Sequence, residues 1–153
     1  MQFRRSFFIL AGTPDILETI ADFKFLPEWD KSVLRVGTDL EAFRIGKQYA
    51  VTLLFEGKNF DMTYSISEYK PNTYVELIGL NDYVKAVDKI QVHARDNGCV
   101  VTYDVNIMFK FPFWLLDPIL KYRFKPVVDE AVEGLKSFSE NIVNGNDYRF
   151  NQK

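Results

Sequence analysis

The 153-residue sequence predicts an α+β domain, in which a curled, seven-stranded antiparallel sheet wraps around one long C-terminal helix. Three observations lead there. From residue 32 to about 110, apolar and polar residues alternate with period two, cut by turn signals at Gly46, Glu56-Gly57, Pro71-Asn72, Asn81-Asp82 and Asn97-Gly98. Beyond them, "LLDPILKYRFKPVVDEAVEGLKSFSENIV" places apolar residues at three- and four-residue steps, the period of a helix. A single amphipathic helix cannot cover that many strands lying flat, so the sheet must curl around it.

In chain order, "FRRSFFILAG" is the first strand. It superficially resembles a twin-arginine export signal. Its apolar stretch ends at Gly12, however, and Pro14, Asp15 and Glu18 follow, which is too short a run for a signal. The expectation is a cytoplasmic protein. "GTPDILETIADF" starts a short helix, with Thr13 as N-cap and Pro14 at the first helical position; Ile16, Leu17, Ile20 and Phe23 form its apolar face. "KFLPEWDK" is a second short helix or turn, broken at Pro27. Six strands follow, then the helix, where Pro118 suits the first turns and Pro126 is expected to introduce a kink. Residues 1–143 are expected to form one domain, with 144–153 as a frayed tail.

Composition narrows the function classes. A net charge of −2, with scattered lysines and arginines, argues against a nucleic-acid partner. No apolar run approaches the ~20 residues of a transmembrane helix. One cysteine and one histidine cannot assemble a zinc site of ordinary composition, and a lone Cys99 cannot form an internal disulfide. No cofactor is implied. Aromatic content of 16% suits a core or the wall of an apolar cavity.

Pairing the strands around a two-residue loop at Asn97-Gly98 sets Ala94 opposite Val101, Val92 opposite Tyr103, Ile90 opposite Val105 and Asp88 opposite Ile107. One face is then apolar on both strands and the other largely polar. Extending the register brings Val75, Leu77, Ile66, Tyr64, Met62, Phe60, Leu53, Val51 and Tyr49 to the inner face. Three phenols (Tyr49, Tyr64, Tyr103) and the carboxylate of Asp88 among aliphatic residues describe either a ligand cavity or a filled core with tyrosines at its rim. Gly79 falls beside Tyr64 and is expected to leave a gap.

The stretches "ADFKFLPEWDKSV", "RIGKQYAV", "MTYSISEYKPNTYVEL", "DKIQV", "VTYDVNIMF" and "LLDPILKYRF" occur here in an order that resembles the START-like, birch-pollen-allergen-like superfamily (SRPBCC). Within it, the resemblance is to the polyketide cyclase/dehydrase and lipid transport branch. It covers residues 1 to about 143. It implies a helix-grip fold around an apolar cavity that binds lipids, sterols, polyketides or similar molecules. The superfamily has no universal catalytic set, so the fold does not supply an activity.

Asp88 is read in two ways: a buried acid/base or ligand anchor with a raised pKa, or a compensated charge whose partner is Arg5 on the first strand. Tyr64 and Tyr103 either bond a ligand oxygen or bond backbone and water. Glu68 is expected to be solvated, His93 lies on the polar face, and Trp29 is expected to pack the short helices on the sheet. The candidate ligand-binding residues are Tyr49, Val51, Met62, Tyr64, Ile66, Leu77, Asp88, Ile90, Val92, Tyr103 and Val105 from the sheet, with Phe124 and Val128 from the helix.

The functional expectation is binding, sequestration or transport of a small hydrophobic molecule. The alternative is a cofactor-independent cyclase or dehydratase with Asp88 and Tyr103 as catalytic residues. A second alternative is a protein-interaction module with a filled core. The cluster from Phe111 to Trp114 is a candidate cavity cap, lid, or contact with a membrane or protein partner.

Overall fold

The computed structural model describes residues 1–145; the expected frayed tail lies, from residue 146 onward, outside the described residues. The chain runs β1 (Gln2–Leu10), α1 (Leu17–Ala21), α2 (Leu26–Trp29), β2 (Val33–Thr38), β3 (Gln48–Phe55), β4 (Lys58–Lys70), β5 (Tyr74–Leu80), β6 (Val84–Arg95), β7 (Gly98–Phe109) and α3 (Asp117–Val143). Single 3-10 turns precede each helix. The strands form one antiparallel sheet in the order β1-β7-β6-β5-β4-β3-β2, with β1 folded back against β7. Its concave face grips α3, as the sequence predicts.

Local chemistry explains most boundaries. Glu56-Gly57 closes the β3–β4 hairpin with both residues at positive φ, the conformation a two-residue turn needs to match strand twist. At the first helix, Thr13 does not cap the backbone; its hydroxyl bonds Asp15, and the chain makes a 3-10 turn before α1. Pro27 opens α2 instead of breaking it, because the first turn needs no N–H from that residue. α3 continues through Pro126 and buries Val128, Ala131, Val132, Leu135, Phe138 and Ser139.

The β6–β7 register differs from the expected one. Arg95 pairs with Gly98, so the loop is Asp96-Asn97, with Asp96 at φ 50°. Every pair moves by two: Ile90 faces Tyr103, and Asp88 faces Val105 rather than Ile107. The faces survive because two is the strand period. Gly98 is spent on a close approach instead of on the turn, since a Cβ there would lie 2.2 Å from the Ile9 carbonyl oxygen of β1.

Phe3, Arg5, Phe7 and Ile9 point to the inner side of β1, but Arg5 does not reach Asp88. Its guanidinium bonds Asp129 of α3 at 2.8 and 2.9 Å. Arg5 stands opposite Tyr103, and α3 packs against β1 and presents Asp129 to its guanidinium. The expected gap at Gly79 is also closed: the Tyr64 ring lies against it, 2.5 Å from where a Cβ would sit.

Candidate functional site

Between the concave sheet and α3 lies a cavity of about 230 Å³. An engineered apolar cavity of ~150 Å³ holds a benzene ring, so this one has room for a bicyclic guest. The β3–β4 hairpin contributes Leu53, Phe55, Phe60, Met62 and Tyr64; β6 and β7 contribute Ala86, Asp88, Tyr103 and Val105. Phe124, Val127, Val128 and Ala131 of α3 form the opposite wall. The exposed lining residues, Leu54 and Tyr83, mark the mouth, while Tyr64, Asp88 and Tyr103 sit buried inside.

Strand alternation turns Asp88 inward, and the β6–β7 register sets Tyr103 diagonally from it on the same face. The Tyr103 hydroxyl donates to Asp88 Oδ2 at 2.7 Å. Asp88 is 5% exposed, and its Oδ1 has no hydrogen-bond partner among the described residues. Among the described residues, no lysine, arginine or histidine lines the cavity. Burial therefore pushes the Asp88 carboxyl up to about 7, against the lowering effect of the Tyr103 bond and with a further rise from the charge of Asp30. Burial, and then the charge of Asp88, holds both the Tyr64 and the Tyr103 hydroxyls well above the usual phenol range. The result is a neutral donor, Tyr103, bonded to a carboxyl that is half protonated near pH 7 and able to donate or accept at Oδ1.

Of the thirteen candidate ligand-binding residues, Met62, Tyr64, Asp88, Tyr103, Val105, Phe124 and Val128 line this cavity. Tyr49, Val51, Ile66, Leu77, Ile90 and Val92 are buried but do not line it. The physical reason is that α1 packs on β5 and β6 and plugs that part of the concave face. Tyr49 donates its hydroxyl to Asp22 at 2.9 Å, and Phe23 packs against both the Tyr49 and Tyr64 rings.

Asp30, at the end of α2, also lines the cavity and was not among the candidates. It accepts from Ser32 N at 2.9 Å and Ser32 Oγ at 2.7 Å, while burial raises its carboxyl. The Asp-x-Ser spacing is an Asx-turn signal that marks the position. Phe55 is another addition. Its ring stacks on Phe124 at 4.2 Å and 9°, beside the Arg123–Glu56 ion pair, tying the hairpin tip to α3. No spacing rule reveals that contact, which joins residues far apart in sequence.

Other candidates fall outside. Glu68 is exposed and accepts from Tyr74. His93 is exposed on the convex face. Cys99 is buried, and burial raises its thiol. Trp29 packs edge-on against Tyr103 at 6.1 Å, and its Nε1 is buried with no partner among the described residues. No group of three or more metal-ligating side chains converges among those residues. None of the described helices is long and apolar enough to cross a membrane.

The family model described as polyketide cyclase / dehydrase and lipid transport matches residues 2–140. No curated protein matches by sequence. Among solved structures, a START superfamily protein from Mycobacterium smegmatis superposes with a TM-score of 0.73 at 14% identity, covering 92% of this chain and 98% of that one. The Zhui aromatase/cyclase from a Streptomyces species gives 0.70 at 12% identity, covering 94% and 95%. A STAR-related lipid transfer protein from Xanthomonas axonopodis gives 0.67 at 18%, covering 90% and 85%. At these identities the likeness shows the shared fold.

Proposed function

The chain belongs to the polyketide cyclase / dehydrase and lipid transport family, and from that premise we propose that it binds a small, largely apolar molecule in the cavity under α3. The observation that carries the reading is Asp88 Oδ1, without a partner among the described residues and buried in an apolar chamber of about 230 Å³. A buried polar atom without a partner costs roughly 1–3 kcal/mol, and a guest oxygen bonded there removes that cost. Met62, Tyr64, Val105, Phe124 and Val128 surround the apolar body of the guest, and Asp88 with Tyr103 holds its polar end.

Native mass spectrometry of the purified protein, with denaturation to release small molecules, tests the proposal alongside melting curves on a panel of bicyclic phenols and fatty alcohols. A co-purified apolar compound, or a melting shift that Ala131→Trp abolishes by filling the chamber, supports it. A clean apo mass with no shift across the panel overturns it.

A second reading is favoured by one specific feature: the Asp88 carboxyl lies near neutrality and is bonded to a phenol. An acid poised there can take a proton from, or give one to, a bound polyketide in cyclisation or dehydration, with no cofactor. Aromatase/cyclases share the fold. Under this reading Asp88→Asn keeps binding and loses turnover. Under pure sequestration, no substrate of the class is converted by either form.

A further inference from the structure

The segment that leads into α3, "FKFPFWLLDPILKYRFK", carries apolar residues that the core does not absorb. Phe111 is 82% exposed, Tyr122 84% and Trp114 53%; Leu115 and Ile119 are exposed as well. Leu115, Ile119 and Tyr122 follow one another at helical spacing, so they share a face from the 3-10 turn into α3. The patch adjoins the cavity mouth, because Phe113 packs edge-on against Tyr83 at 5.4 Å and Tyr83 lines the cavity. An apolar surface of this extent on a chain whose core is already built calls for a partner.

Charge identifies the partner. The whole chain is net negative, yet this segment holds Lys110, Lys121, Arg123 and Lys125 against one acid, Asp117. Its acidic neighbours are exposed Asp82 beside Tyr83, Glu56 paired with Arg123 and Asp129 paired with Lys125, while Asp117 is itself paired with the N-terminal ammonium. Lys110 bonds the Asn81 carbonyl and Lys125 pairs with Asp129, whereas Lys121 has no partner among the described residues. Protruding Phe, Trp, Tyr and Leu tips beside basic side chains match the chemistry of an anionic bilayer surface. Aromatic rings sit at the headgroup level there, and lysines meet the negative phosphates.

We propose that the Phe111–Tyr122 face docks on an anionic lipid bilayer, bringing the cavity mouth against the membrane surface. The docking is independent of what the cavity holds.

The test is co-sedimentation of the full chain with vesicles of phosphatidylcholine alone and of phosphatidylcholine with phosphatidylserine, together with tryptophan emission. Binding is expected on the mixed vesicles, with a blue shift from Trp114, since Trp29 is already buried. Phe111→Ser/Trp114→Ser is expected to weaken partitioning by about tenfold or more. Lys121→Gln is expected to weaken it by roughly fivefold on the anionic vesicles only. All these side chains are exposed, so melting temperatures and binding of cavity ligands stay at wild-type values. That separates a failure of docking from a failure of the ligand-binding proposal. Absence of binding to mixed vesicles, or binding that the double variant leaves unchanged, overturns the inference. So does a dimer in sedimentation that the double variant dissolves without any vesicle binding, which would make a second copy the occupant.

Discussion

Replacing Asp88 by asparagine tests the electrostatics of the cavity floor directly. Asparagine keeps the shape and an acceptor for Tyr103 but carries no titrating proton. In the native chain the Asp88 carboxyl titrates near 7, against 3.8 for a free side chain. A raised acid keeps its proton in the native state while the unfolded chain has already lost it. Wild-type stability therefore falls as pH climbs from about 4 to about 7, and levels off above that. The span of about three pKa units corresponds to ~4 kcal/mol, a large share of the total stability of a domain this size. Asp88→Asn has no such slope. Urea unfolding of both proteins across this range should give near-equal stabilities at the acid end, and a gap in favour of the variant that widens to ~4 kcal/mol above neutrality. The difference curve removes every group the two chains share. A gap that stays constant with pH would refute the reasoning, because it would mean that the carboxylate is hydrated or compensated in the native state.

Three further outcomes follow from the same geometry. Tyr103→Phe deletes the bond that lowers the Asp88 carboxyl, so a carbon-13 titration of that carboxyl should move upward from about 7; an unmoved midpoint would mean the bond is not made in solution. Gly79→Ala forces a methyl against the Tyr64 ring at 2.5 Å. It should cost ~1–3 kcal/mol in urea unfolding, partly restored when Tyr64→Ala is added. Arg5→Met breaks a half-exposed pair with Asp129, so it should cost less than about 1 kcal/mol and leave the Asp88 titration in place. A shifted Asp88 midpoint would return Arg5 to the role of its partner.

The sequence by itself determined the elements and the faces. Alternation along β6 and β7 put Asp88 and Tyr103 on the inner side even though the turn falls one residue earlier than Asn97-Gly98 predicts. A hairpin can shift by two without exchanging its faces, so periodicity survived where the pairing did not. The spacing of apolar residues likewise identified α3, and through it the wall at Phe124 and Val128.

Only the tertiary structure decided which inner residues face empty space. Tyr49, Ile66 and Leu77 read like Met62, Tyr64 and Val105 in any pattern. α1 and its neighbouring turns fill one part of the concave face and leave the other open. The partners of charged groups were decided in the same way. Arg5 meets Asp129 of α3 rather than Asp88, and one oxygen of Asp88 has no partner among the described residues. Periodicity is a local property carried by each strand alone, whereas filling and pairing depend on where distant segments come to rest, and a single strand holds no record of that.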